Sequence, residues 1–142
     1  MAAMGKFQSQ TTSSTSSISQ RASLAAITKG EAELKKVKTL LKERRDFVFP
    51  LLNALPGVHV LKPDGAFYMW TNVSGCFGKS FQGQKINGSE DFAKLLLEHY
   101  SVVVVPGKPF GEDGYIRISY ALNEKRMKEA IDRMSSFVGS LT

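Results

Sequence analysis

Arg117 is the residue whose type and setting best suit binding chemistry in this sequence. It lies in the run Tyr115–Ser119. Alternation there places Tyr115, Arg117 and Ser119 on one face of a strand and two isoleucines on the other. A planar guanidinium held on a strand suits two-point binding of a carboxylate. The turn-rich Pro-Gly-x-x-Phe-Gly stretch just before this strand is expected to border a pocket.

The same arginine has a second interpretation. An arginine on an edge strand often forms a solvated ion pair that contributes little to stability. Residue type and spacing leave both roles open, so Arg117 stands here as a candidate substrate-binding residue.

No other cluster of residues indicates a catalytic or metal site. His59 and His99 lie far apart, without a Cys/His cluster or a His-Glu-x-x-His run, so no metal site is predicted. The single cysteine, Cys76, has no neighbouring histidine to activate its thiol. A Ser-His-Asp triad stays open in principle, although no Gly-x-Ser-x-Gly elbow supports it.

Two further stretches have a functional and a structural interpretation. The Gly-Lys-Ser run at 78–80 ends like a phosphate-binding loop, but Val73 stands where that motif needs a glycine. The aromatic stripe at 67–70 suits a stacking platform or a strand core, and we favour the core. Gly65 before it is predicted to take the positive φ of the turn.

Composition is typical of a single globular domain. The chain has 142 residues and a net charge of +6 from 19 basic and 13 acidic residues. The basic residues are scattered along predicted helices without a long basic run, so no nucleic-acid partner is expected. No apolar run reaches membrane-spanning length and no secretory signal is evident. With one cysteine, a cytoplasmic, reducing location is expected.

Periodicity, capping residues and turns predict the elements. Four helices are predicted: one over 17–28 with Ser17 and Gln20 as a capping box, one over 29–55, one from a cap at Ser89 to 99, and one that begins after a cap at Asn123. The core stripe of the last helix is predicted to be Met127, Ala130, Ile131, Met134, Phe137 and Val138. Four strands are predicted, over 58–62, 66–71, 102–105 and 115–119. Residues 73–88 are predicted to be irregular. This order predicts an α+β fold, a small, mostly antiparallel sheet flanked by helices.

Three motifs together resemble the C-terminal part of a pyridoxal-phosphate-dependent aminotransferase of the aspartate aminotransferase family (fold type I, class I/II). Taken as a whole, the sequence most resembles the aspartate/prephenate aminotransferase branch of this family. The motifs are Gln8-Ser-Gln-Thr-Thr-Ser-Ser with Ser19-Gln-Arg-Ala, Pro63-x-Gly65-Ala-Phe-Tyr68, and Val105-Pro-Gly-x-x-Phe-Gly-x-x-Gly114-x-x-Arg117-x-Ser-Tyr-Ala. The last is the most specific, because several spacings and residue types match together.

The resemblance implies that Arg117 binds the α-carboxylate of an amino-acid or 2-oxo-acid substrate. It implies pyridoxal 5′-phosphate as the cofactor of the full-length parent, and a homodimer. The family's Schiff-base lysine, in a Ser-x-x-Lys context, and its other cofactor-holding residues have no counterpart in this sequence. We therefore expect this chain alone to bind no cofactor and to be inactive.

The resemblance also implies a domain division. Residues 1–28 are expected to be a stub of the large cofactor-binding domain, and residues 29–142 the C-terminal small domain, beginning with a long linking helix. Two other functions stay open: a non-catalytic interaction domain that keeps this fold, and a basic module that binds an anionic polymer.

Overall fold

Five α-helices and six short strands make up the chain, and the computed structural model describes all 142 residues. The helices are α1 (Ala2–Thr11), α2 (Ser17–Lys29), α3 (Glu31–Asn53), α4 (Ser89–Tyr100) and α5 (Glu124–Gly139). The strands are β1 (His59–Val60), β2 (Tyr68–Asn72), β3 (Ser80–Phe81), β4 (Gln84–Lys85), β5 (Val105–Pro106) and β6 (Tyr115–Ser119). Two compact units result, Met1–Thr39 and Leu40–Thr142.

The first unit is helical and its side chains are exposed. Helix α1 was not predicted, because its Ser- and Thr-rich end has the composition of a linker. Those hydroxyls bond instead to carbonyls one turn back, as from Ser9 Oγ to Lys6 O at 2.8 Å. The cap of α2 is Ser16, whose Oγ accepts from the Ser19 amide, one residue before the predicted capping box.

The second unit is built on a four-stranded sheet in the order β1-β2-β6-β5. Every neighbouring pair is antiparallel, which confirms the predicted α+β class. Strand β6 forms exactly over the predicted residues, Tyr115–Ser119. It lies in the interior of the sheet, with β2 on one side and β5 on the other.

One face of this sheet covers the hydrophobic core. Met69 of β2 and Ile116 of β6 are fully buried there. The helices contribute Val48 and Leu52 from α3, Phe92, Leu95 and Leu96 from α4, and Met127, Ile131, Met134, Phe137 and Val138 from α5. The predicted core stripe of α5 is thus confirmed except at Ala130, which is half-buried. The predicted cap is confirmed as well, since Asn123 Oδ1 accepts from the Arg126 amide at 2.9 Å.

Two sequence-based predictions of strands were wrong. Residues 102–105 do not form a buried strand, because only Val105 pairs with β6 and Val103 is 75% exposed. Residues 73–88 are not wholly irregular, since β3 and β4 form a hairpin. Its two turn residues, Gln82 and Gly83, both have positive φ. The Gln-Gly pair lacks the Asn or Asp that marks such turns in a sequence.

The structure gives two further findings, on membrane spans and on metal sites. No helix combines the length and the apolar character needed to cross a bilayer. No group of three or more histidine, cysteine or carboxylate side chains is arranged to hold a metal ion.

Replacing Thr71 with valine is expected to stabilise the fold by about 1 kcal/mol, because a buried hydroxyl without a partner costs about 1–3 kcal/mol. Thr71 faces the core from β2 with 0% exposure, and its Oγ1 has no hydrogen-bond partner. Urea denaturation measures the change. Thr71→Ser, which keeps the hydroxyl and loses the methyl group, is the control and should destabilise. A less stable valine variant would show that Oγ1 has a partner in solution.

Candidate functional site around Arg117

Arg117 lies at the centre of the sheet, on the face opposite the core. Its register neighbours are Trp70 on β2 and Val105 on β5. Since β6 is an interior strand, the backbone of Arg117 is fixed from both sides. The alternative of an arginine on an edge strand is therefore wrong for this chain.

Two aromatic rings contact the guanidinium of Arg117. Its Cζ lies 4.6 Å from the centroid of the Tyr68 ring and 4.9 Å from that of Phe110. Both distances are within the range of cation–π attraction. Arg117 is half-buried, and none of the six ion pairs of the chain includes it. The positive charge of Arg117 thus contacts two aromatic ring faces and no carboxylate.

The aromatic stripe divides between the two faces of β2. Met69 is buried in the core, whereas Tyr68 and Trp70 are half-buried on the face that carries Arg117. Trp70 stacks on Tyr115 at 5.4 Å and meets Phe110 edge-on at 6.0 Å. The prediction that the stripe is core was therefore wrong except at Met69, because period-2 alternation sends Tyr68 and Trp70 to the opposite face and Phe67 is 41% exposed.

Tyr120 links the motif that contains Arg117 to the motif at 63–68 through two hydrogen bonds. Its hydroxyl donates to Ala66 O at 2.8 Å and its amide donates to Phe67 O at 2.9 Å. Burial raises the pKa of Tyr120, so the phenol keeps the proton that it donates. Sequence reasoning missed this residue, although it is part of the Arg-x-Ser-Tyr motif.

The turn before β2 differs from its prediction. Ala66, and not Gly65, takes the left-handed conformation, with φ +62°. That conformation is uncommon for a residue with a Cβ. The bond from Tyr120 to the Ala66 carbonyl holds it there, and so fixes the entry into β2 just before Tyr68.

The loop that carries Phe110 is anchored to the start of α4. Asp113 Oδ1 accepts from the Ser89 amide at 3.0 Å and from its hydroxyl at 2.7 Å. Ser89 Oγ in turn accepts from the Lys108 amide at 3.3 Å. Ser89 was predicted to be the cap of α4, but Gly88 occupies that position and Asp113 binds the free amide. A carboxylate at a helix N-terminus also suits the helix dipole.

Asp113 should make stability depend on pH on the acid side. Hydrogen bonds from the Ser89 hydroxyl and amide hold the pKa of Asp113 below its ordinary value of 3.8. The carboxyl group therefore binds its proton at a lower pH in the native state than in the unfolded state. The stabilisation is complete above the ordinary pKa and is lost as pH falls through the lowered one. Asp113→Asn should flatten this part of the acid limb in urea denaturation between pH 5 and pH 2. An unchanged acid limb would contradict this.

A groove of about 640 Å³ opens beside the aromatic side chains. Tyr68, Trp70 and Tyr115 line it, together with charged or polar groups from His59, Lys62, Asp64, Asn72 and Glu112. Arg117 is not among its lining residues. Tyr68 therefore connects the groove to the guanidinium, because its ring borders both.

The other candidates from the sequence lie away from this site or are inert. His99 packs against Phe81 with ring centroids 4.8 Å apart. Cys76 is buried, and burial raises the pKa of its thiol, which keeps it protonated and unreactive. The Gly-Lys-Ser run leads into the β3–β4 hairpin, so it is not the strand–loop–helix of a phosphate-binding loop.

The residues of this chain do not fit pyridoxal phosphate. A Schiff base needs a lysine amine that can lose its proton near a cradle for the phosphate. Lys62, which lines the groove, and Lys108, which lies in the same short turn as Phe110, are both ion-paired. Lys62 contacts Asp46 at 2.8 Å and Lys108 contacts Glu90 at 2.7 Å. The hydrogen bond to Glu90 raises the pKa of Lys108. Neither amine is arranged to carry the cofactor.

Comparison with known proteins gives consistent matches along the chain. The family model described as "Aminotransferase class I and II" matches residues 1–134. The aspartate/prephenate aminotransferase of Cereibacter sphaeroides is 42% identical over 141 residues, which is 99% of this chain and 35% of that protein. The aspartate aminotransferase of Pinus pinaster is 43% identical, over 93% of this chain and 28% of its own length.

Solved structures agree with the sequence matches. The crystal structure of the aspartate aminotransferase from Rhizobium meliloti superimposes with a TM-score of 0.91 at 41% identity, covering 99% of this chain and 36% of that one. The aspartate aminotransferase of Thermus thermophilus with maleate gives a TM-score of 0.77 at 33% identity, over 95% of this chain and 33% of that one. The chain thus spans about a third of the length of the relatives it matches.

Proposed function

The chain belongs to the class I and II aminotransferase family, and on this basis we propose that it forms the substrate-carboxylate-binding part of an aminotransferase. The parent enzyme transfers an amino group between an amino acid and a 2-oxo acid. The amino acid is aspartate or glutamate, or an aromatic or prephenate-type acid. Arg117 binds the α-carboxylate that both substrates share.

The observation that carries this proposal is a partly buried guanidinium without an acidic partner. An isolated charge that is half removed from water is costly unless a counter-charge reaches it. The cation–π contacts of Arg117 involve the faces of the rings, whereas a carboxylate binds at the N–H groups in the guanidinium plane. Two parallel N–H···O bonds would fix the carboxylate, and with it the direction of the bonds at the adjacent α-carbon.

The cofactor of the parent enzyme is pyridoxal 5′-phosphate in this proposal, and the parent is a homodimer, as the family resemblance implies. The cofactor supplies the electron sink for amino transfer. Because the residues of this chain do not fit it, the Schiff-base lysine belongs to another part of the parent. The assignment of residues 1–28 to a large domain and of residues 29–142 to a small domain is part of the same proposal.

A chimaera tests the proposal directly. Residues 1–142 replace the matching third of the Rhizobium meliloti aspartate aminotransferase, with which they superimpose closely. We expect the chimaera to transaminate aspartate, and the 142-residue chain alone to show no activity. A folded chimaera that binds cofactor but has no activity towards any amino acid would favour the non-catalytic interaction domain instead.

A further inference from the structure

We propose that Tyr68 and Phe110 are positioning residues that hold the Arg117 guanidinium by ring contacts and leave its N–H groups free for the substrate. The inference deepens the proposed function and rests on it. We call the two rings together the aromatic clamp. The two rings orient the arginine and do not themselves contact the substrate.

The two rings come from separate elements. Tyr68 is the first residue of β2, and Phe110 ends a short 3₁₀ turn in the loop between β5 and β6. Their centroids lie 4.6 and 4.9 Å from Cζ of Arg117. The guanidinium is thus confined by the sheet and by a loop at once.

Ring contacts suit a binding arginine better than an ion pair would. An arginine side chain has many rotamers, and ordering it only on binding would weaken the complex. A carboxylate from the protein would order it too, but would compete with the substrate for the same N–H groups. Aromatic faces attract the charge without accepting those conventional hydrogen bonds.

Each ring is itself held in place. Phe110 meets Trp70 edge-on at 6.0 Å, and its loop is anchored through Asp113 to Ser89. Tyr68 packs on Phe67, with centroids 4.3 Å apart, and follows the turn that Tyr120 fixes. The supporting contacts therefore orient the clamp without a ligand.

Nuclear magnetic resonance on the ¹⁵N-labelled 142-residue chain tests the clamp. The Arg117 Nε–Hε signal is assigned by its loss in Arg117→Lys. We expect an upfield ring-current shift and an ordered heteronuclear NOE in the wild type. Both should be lost in Tyr68→Leu and in Phe110→Leu, and retained in Tyr68→Phe and Phe110→Tyr. Tyr115→Leu is the matched control, because that ring lies on the same face but stacks on Trp70.

Titration with acetate, the smallest carboxylate, links the clamp to binding. Acetate should shift the Arg117 signal, and its dissociation constant should rise about fivefold in either leucine variant, the size expected for one lost cation–π contact. Because the rings come from different elements, each leucine variant stands in for the other if one fails to fold.

The possible outcomes separate the two claims. Leucine variants that stay folded and keep the wild-type shift, NOE and acetate affinity would overturn the clamp and leave carboxylate binding intact. A wild-type Arg117 signal that acetate does not move would overturn carboxylate binding, and the ordering by the rings would then be judged from the NOE alone.

Discussion

Replacing Arg117 with alanine is expected to lower kcat/KM of the chimaera by about a hundredfold or more. Losing a charge-assisted, two-point contact costs roughly 3 kcal/mol, and about 1.4 kcal/mol corresponds to each tenfold change in rate. Arg117 has no acidic partner within the chain, so the loss should fall on the substrate rather than on the fold. Steady-state kinetics with aspartate and 2-oxoglutarate measure it.

Two variants calibrate this result. Arg117→Lys keeps the charge but not the planar fork, and should fall between the wild type and the alanine variant. Arg126→Ala, which removes an exposed arginine on α5, should change kcat/KM less than about threefold, since distant surface changes are close to neutral. A change of similar size in Arg117→Ala would argue against carboxylate binding.

Replacing Phe137 with alanine is expected to destabilise the second unit by about 4 kcal/mol, the usual cost of emptying a buried phenylalanine site. Phe137 is 0% exposed. Its ring lies 5.2 Å from Phe92 and 5.5 Å from both Phe81 and Tyr100, measured between centroids. One side chain thus joins α4, α5 and the β3–β4 hairpin. Small domains have about 5–15 kcal/mol of stability in total, so the variant should lose between about a quarter and most of the free energy of unfolding.

Urea denaturation followed by circular dichroism measures that loss. Phe7→Ala is the matched control, because Phe7 is 72% exposed on α1, and it should change the free energy of unfolding by less than about 0.5 kcal/mol. Equal effects from the two variants would show that the aromatic contacts of Phe137 contribute no packing energy.

The sequence predicted features that depend on near neighbours. Strand β6 has the predicted bounds. Helices α2, α3 and α4 begin and end within about two residues of their predictions, and α5 begins at the predicted position. Alternation placed Arg117 and Tyr115 on one face, as the sheet confirms. These signals are periodicity and capping, which a few consecutive residues determine. Arg117 itself was a candidate on the same grounds, and its role in binding stays a prediction.

The tertiary structure decided features that join residues distant in sequence. Asp113 binds the free amide at the start of α4 across 24 residues, and Tyr120 donates to Ala66 across 54 residues. Nothing local in the sequence indicates either bond. The conformation of Ala66 depends on that second contact, which is why Gly65 was the wrong prediction.

By itself, the sequence determined that Arg117 stands on a strand, with its charge directed away from the isoleucines. Only the folded chain decided that this strand is interior and that Tyr68 and Phe110 contact the guanidinium. The physical reason is that alternation fixes the face of a side chain, whereas strand order and loop anchoring fix what lies against that face.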